Sequence, residues 1–243
     1  MDRIAYRDGG AALTGLLARP AGKPKAAIAV FPTIMNANQT MRNKAQALAE
    51  AGYLALICDF YGSIPITFQE ARQLSQIFAD SPAAFRDRIR AGLNALTSID
   101  EAEGVPIAAI GFCMGGRAVL ELARLGLPLS AAVSFHGLLD TLDNYRAEPG
   151  SITARILVCH GDADPLVPRS QVIGFWEEMD AARANWHFHS YSGVPHGFTN
   201  PVGPDGAPSP SYDASADRQS WAAMHSLFDE VFGHVRSMEC VSW

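Results

Sequence analysis

The run Ile110-Gly111-Phe112-Cys113-Met114-Gly115-Gly116 constrains this 243-residue chain more than any other stretch. An aliphatic segment at 107–110 leads into a turn with glycines two residues before and two after a single reactive side chain, and an amphipathic pattern over 115–125 follows. This is the pattern of a nucleophile elbow, a sharp strand-to-helix turn in which the glycines remove side chains that would clash with the neighbouring strand and helix. Cysteine stands where serine is usual. Because the helix starts at the turn, its unpaired N–H groups and the positive end of its dipole favour thiolate over thiol. The pattern predicts an acidic, nucleophilic Cys113; the plainer alternative is a small buried residue at a glycine-rich turn.

The rest of the chain alternates short aliphatic or β-branched runs with amphipathic ones. The runs at 26–31, 54–58, 107–110, 131–135, 156–160 and 186–191 read as strands, and those at 40–51, 84–96, 115–125, 171–182 and 218–232 as helices. Alternation of this kind predicts an α/β architecture, a mostly parallel central sheet with helices on both faces. The length and the absence of internal repeats predict one domain over residues 1–243. Chemistry in such sheets collects at the carboxyl ends of the strands.

A formal net charge of −6 with dispersed charges and no Lys/Arg-rich block argues against nucleic acid or an anionic membrane surface as partner. The first eight residues lack the apolar centre of a signal peptide and no later run approaches a membrane span, so a cytoplasmic location is expected. Cys58, Cys113, Cys159 and Cys240 show no C-x-x-C spacing, which argues against a zinc site and a disulfide framework. Cys58 and Cys159 read as core residues and Cys240 as a tail thiol. No H-E-x-x-H motif occurs, and neither a metal nor an organic cofactor is expected.

Two strand-end loops supply what a cysteine nucleophile needs. His160-Gly161-Asp162-Ala163-Asp164-Pro165-Leu166-Val167-Pro168 presents two carboxylates, and Gly193-Val194-Pro195-His196-Gly197-Phe198 follows the last strand with a histidine. The order nucleophile, acid, histidine is that of α/β-hydrolases. His196 would manage the thiol and leaving-group protons while an acid behind it fixes its tautomer. Spacing leaves Asp162 and Asp164 both open for that part. His136 ends the strand after the elbow helix and is a candidate for the pocket wall.

With these motifs in hand, the chain resembles the dienelactone hydrolase family, the cysteine-using branch of the α/β-hydrolases. The resemblance rests on Gly111-Phe112-Cys113-Met114-Gly115-Gly116, on residues 51–62 (AGYLALICDFYG), on Gly161–Pro168 and on His196-Gly197-Phe198, and spans nearly the whole chain. It implies that Asp164, three residues before the Val-Pro pair, is the acid of the triad, with Asp162 left to a turn or helix cap. It also implies an oxyanion hole made by the backbone N–H groups of Met114 and Ile34.

Three positions depart from the pattern that the resemblance implies. Thr33 stands where well-known members carry a glutamate that interacts with the cysteine. Asn200 stands where they carry a carboxylate-binding arginine, while Arg72, after Tyr61-Gly62, is a candidate for the other arginine and equally for a solvated helix residue. The loop 201–214 is rich in Pro, Gly, Ser and Asp, and would either bring Tyr212 over the pocket or form a surface excursion. Phe31, Phe60, Tyr61, His136, Tyr145, Phe198 and Tyr212 are the aromatic candidates for its walls.

The reading that results is a hydrolase of activated esters, lactones or enol esters working through a Cys113 thioester, with a small-molecule substrate and an oligomeric state that the sequence leaves open. A catalytically silent protein binding a small ligand or partner in the same pocket is the alternative.

Overall fold

The computed structural model describes residues 1–203 and 206–233. Cys240 lies outside them. Eight strands form one sheet in the order β1-β2-β4-β3-β5-β6-β7-β8. They are β1 (Asp2–Asp8), β2 (Ala11–Ala18), β3 (Ala27–Phe31), β4 (Leu54–Ile57), β5 (Ile107–Phe112), β6 (Ala131–Phe135), β7 (Arg155–Gly161) and β8 (Asn185–Tyr191). The first two form an antiparallel hairpin that joins the sheet antiparallel to β4, and every other pairing is parallel. The architecture is that of an α/β-hydrolase.

Among the described residues six α-helices cover it: α1 (Gln39–Glu50), α2 (Phe68–Asp80), α3 (Pro82–Thr97), α4 (Met114–Arg124), α5 (Arg169–Ala181) and α6 (Ala214–Val231). One core cluster joins the sheet to α2–α5 through residues such as Phe85, Ile89, Leu120 and Phe175, and the other joins the opposite face to α1 and α6 through Met41, Leu48, Met224 and Phe228. With both faces covered, β3, β4 and β6 are buried at every position, which is why they read as unbroken apolar runs.

The hairpin β1–β2 and the helix α2 are additions to the elements that the alternation predicts. Alternate residues of β1 are exposed, and helix α2 buries only Ala71 and Phe78, so neither presents a continuous apolar signal. The helix expected over 84–96 begins earlier, at Pro82, where Ser81 caps it by accepting from the Ala84 N–H at 3.3 Å. Helix α6 likewise starts at Ala214 rather than 218, because Asp213 accepts from the N–H groups of Ser215 and Ala216.

The chain leaves β3 for β4 on one side and returns past β3 to β5 on the other. The carboxyl ends of β3 and β5, paired at Phe31 and Gly111, therefore flank the switch point where such sheets open a crevice.

A buried ionic cluster ties the helices beside that crevice. Arg124 is fully buried and its guanidinium donates to both carboxylate oxygens of Glu178 at 2.8 and 2.9 Å, to Glu121 at 3.0 Å and to the Leu139 carbonyl at 2.8 Å. Arg86 of α3 reaches the second Glu121 oxygen at 2.9 Å. Removing one member strands a buried charge, so Glu178→Ala is expected to cost about 3–5 kcal/mol of stability, read as a lowered urea midpoint with an unchanged m-value.

Candidate active site

The elbow glycines are dictated by contact distances. A Cβ on Gly111 would lie 1.8 Å from the Gly115 carbonyl oxygen, one on Gly115 would lie 2.0 Å from the Phe31 carbonyl oxygen, and one on Gly116 would lie 2.5 Å from the Gly137 Cα. Helix α4 thus starts hard against the end of β3. Cys113 sits at its N-cap with φ 56° and ψ −114°, a strained conformation for a residue with a Cβ. Its own N–H donates to the Phe135 carbonyl at 3.1 Å, which fixes the turn to β6.

The acid and histidine loops are zipped together. Asp162 N–H donates to the Tyr191 carbonyl at 2.9 Å and Ala163 N–H to the Val194 carbonyl at 3.0 Å, while a Cβ on Gly161 would meet the Val194 carbonyl oxygen at 2.3 Å. The close approach brings Asp164 Oδ2 to 2.7 Å from His196 Nδ1. The other carboxylate oxygen accepts from the Leu166 N–H at 2.8 Å, so the buried Asp164 is held in one orientation. Asp162 is bound instead by Arg169 at the start of α5, at 2.6 and 3.0 Å, and the cap of that helix is Pro168. Of the two parts expected of Asp162, turn or helix cap, it takes the turn, and its carboxylate is ion-paired rather than capping the helix.

Electrostatics couple His196 to Cys113. Burial alone would raise the Cys113 thiol, but hydrogen bonding and charge from His196, followed by the backbone N–H groups of Met114 and Ile34, bring it below its ordinary value. Burial would lower His196, and the opposing bonds to Asp164 and then Cys113 raise it to about 10. Both shifts favour the charged forms, thiolate for Cys113 and imidazolium for His196. His196 Nε2, the ring nitrogen not bonded to Asp164, is buried and faces the Cys113 thiol.

The thiol opens on a cavity of about 520 Å³ between α2, α4 and the loops after β3, β6 and β7. Ile34, Phe68, Phe78, Phe85, Leu138 and Leu142 make most of its wall apolar, and Arg72 and Arg117 bring two guanidinium groups to it.

The family model of the dienelactone hydrolase family matches residues 13–232. The chain belongs to the dienelactone hydrolase family. It is a hydrolase of that family by this match. The Caenorhabditis elegans protein "Uncharacterized protein K02A2.1" is 36% identical over 156 residues, covering 63% of this chain and 98% of its own. A Bradyrhizobium sp. protein, "Probable 2-oxo-3-(5-oxofuran-2-ylidene)propanoate lactonase", is 27% identical over 209 residues, covering 82% of this chain and 84% of its own. Among solved structures, P91, a dienelactone hydrolase-like promiscuous phosphotriesterase from metagenomic libraries, superposes with a TM-score of 0.87 at 33% identity, covering 95% of this chain and 97% of its own.

In this dienelactone hydrolase family chain several predicted pocket residues lie elsewhere. His136 is fully buried behind the histidine loop, with Nε2 2.9 Å from Thr199 Oγ1 and its ring edge-on to His196 and Phe198, each at 5.3 Å between centroids. Burial, then the positive charge of His196 and Lys44, keeps it neutral well below its ordinary range. Phe198 is likewise buried, and Asn200 lies outside the cavity wall. These three support the loop rather than line the pocket. Thr33 serves its own turn, accepting from the Met35 N–H through Oγ1 at 3.2 Å.

Of the two readings open for the loop 201–214, its described residues take the surface excursion: Val202 bridges Pro208, Pro201 and Val202 border a separate hollow between α1 and α6, and Tyr212 is exposed and absent from the wall of the thiol cavity. Phe31 and Phe60 are core residues, and Tyr145 packs under the Arg86 guanidinium at 4.7 Å. Tyr61 does approach the site, its hydroxyl 3.9 Å from Met114 Sδ, and burial followed by the nearby Cys113 charge makes that hydroxyl harder to ionise.

Sequence reasoning missed Arg117 and the apolar wall. Arg117 lies four residues after Cys113, one helical turn on, and that spacing was the available signal. Its guanidinium bonds Asp140 while Nε stays buried and unpartnered.

The pairing has a measurable pH signature. Alkylation of Cys113 by iodoacetamide should follow a thiolate whose midpoint lies below the ordinary 9.0, with the rate level above it. Asp164→Asn removes a bond that holds the imidazolium, so its midpoint should move upward, towards 9.0.

Proposed function

We propose that the protein is a cysteine hydrolase of activated carboxylic esters, lactones or enol esters. The observation that carries this reading is the convergence on one thiol of a His196–Asp164 pair bonded at 2.7 Å and of two backbone N–H groups, those of Met114 and Ile34.

In this mechanism the Cys113 thiolate attacks the acyl carbon and forms a C–S bond. The carbonyl oxygen becomes an oxyanion and accepts from the Ile34 and Met114 N–H groups, an arrangement that typically contributes about 3–4 kcal/mol per donor. Collapse breaks the ester C–O bond, and the departing alkoxide takes the proton from His196 Nε2. Neutral His196 then removes a proton from water, which attacks the thioester and releases acid and thiol. Asp164 holds the imidazole tautomer through both steps and stabilises its cation.

The apolar wall favours substrates with a hydrocarbon or aryl body, and the two arginines suit an anionic or strongly polarised end. The lactonase name of the Bradyrhizobium relative fits this class. The name of P91 adds a second reading, phosphotriesters, whose phosphoryl oxygen would use the same two donors.

The test is hydrolysis of p-nitrophenyl acetate, butyrate and octanoate, dienelactone and an aryl phosphotriester by the protein and by Cys113→Ala, with acylation followed by intact mass. Ester turnover should fall about a thousandfold or more in Cys113→Ala, with the acyl adduct confined to the protein carrying the thiol. Turnover undiminished in the variant would overturn the reading, and absence of both turnover and adduct throughout would favour the silent ligand-binding alternative.

A further inference from the structure

Of the two proposed oxyanion donors, Met114 N–H is presented by the helix start, whereas Ile34 N–H belongs to a loop between β3 and α1 that no sheet or helix holds. Its geometry has an identifiable source. The turn Thr33–Asn36 closes with Asn36 N–H donating to the Thr33 carbonyl at 2.9 Å, and Met35 N–H goes to Thr33 Oγ1 at 3.2 Å. Both of the following N–H groups are thereby consumed inside the turn, and that of Ile34 is left to face the sulfur.

The turn ends in Asn36, 1% exposed and at φ 54°, the left-handed region that asparagine tolerates better than most side chains. Its amide is fully used. Nδ2 donates to Asp59 Oδ1 at 2.8 Å and to the Ser63 carbonyl at 2.7 Å, and Oδ1 accepts from the Phe60 N–H at 3.2 Å. Asp59, 5% exposed, gathers three more donors: the N–H groups of Tyr61 and Gly62 on Oδ1, both at 2.9 Å, and that of Thr14 on Oδ2 at 2.8 Å. One carboxylate and one carboxamide thus lock the loop after β3 to the loop after β4 and to strand β2.

We propose that Asn36 and Asp59 are positioning residues for the reaction: their side-chain pair sets the Ile34 N–H for the oxyanion and, through the Tyr61 N–H, sets the tyrosine beside Met114. The inference rests on the hydrolase reading for its catalytic consequence. Its structural consequence concerns the thiolate, which draws on the same N–H.

The test compares the wild-type chain with Asn36→Gly, which keeps the backbone angle accessible and deletes the amide, and with Asn36→Asp, which keeps shape and angle but cannot donate to Asp59. Thermal melts establish that the variants are folded. With p-nitrophenyl butyrate, kcat should fall about 10- to 100-fold while KM stays within about threefold, the signature of an interaction made in the transition state. The alkylation midpoint of Cys113 should rise in the folded variants, which a loss of stability alone would not produce.

If folded variants keep both the wild-type kcat and the wild-type thiol midpoint, the inference is overturned. Should the wild-type chain hydrolyse no ester, the hydrolase reading fails by itself, and the thiol midpoint still decides whether the pair positions Ile34: a raised midpoint supports it and an unchanged one refutes it. Should Asn36→Gly not fold, Asn36→Asp and Asp59→Asn give the same readings.

Discussion

Everything at the carboxyl end of this sheet depends on how closely helix α4 approaches strand β3. With no Cβ at Gly115, the first turn of the helix rests on the Phe31 carbonyl, and the chain that continues from Phe31 is the loop bearing Ile34. A methyl group there would push the helix off the strand and separate Cys113 from that loop. The same absence of side chains at Gly111 and Gly116 lets the turn be sharp enough to lift the thiol above the sheet. Sterics therefore set the geometry, and the electrostatics follow from it.

Those electrostatics are organised by keeping one positive charge where it is useful. Against the cost of burial, bonds to Asp164 and then Cys113 favour the protonated form of His196, whereas in His136, edge-on to it, burial and then the positive charge of His196 and Lys44 favour the neutral form. A neutral imidazole packed on a charged one supports it sterically without competing for the proton. The bond to Thr199 keeps His136 in that position.

Much of this was legible in the residues. The parallel strands, and the order of a cysteine, an acidic loop and a histidine, follow from apolar runs bounded by glycine and from short motifs, whereas the choice of Asp164 over Asp162 came from the family resemblance and not from spacing. What escaped was of another kind. Strand β1 alternates exposed and half-buried positions, and α2 keeps Ile77 and Phe68 exposed, so neither carries the pattern of a core element. His136 and Phe198 were candidates for the pocket because they sit near it in sequence, yet both are buried behind the histidine loop, and Tyr212, left open between pocket and surface, is exposed. The Asn36–Asp59 pair spans 23 residues and is visible only once two loops are folded side by side.

The depressed thiol also has a redox meaning. A thiolate open to a cavity can also be oxidised by peroxide, giving a sulfenic acid. Cys58 and Cys159 are both buried, and burial raises their thiols, Cys159 to about 12. Among the described residues, then, no second reactive thiol stands near to trap that sulfenic acid as an internal disulfide. Its recovery would depend on a small thiol small enough to enter the pocket, which makes the dimensions of the substrate cavity the control on repair as well as on access.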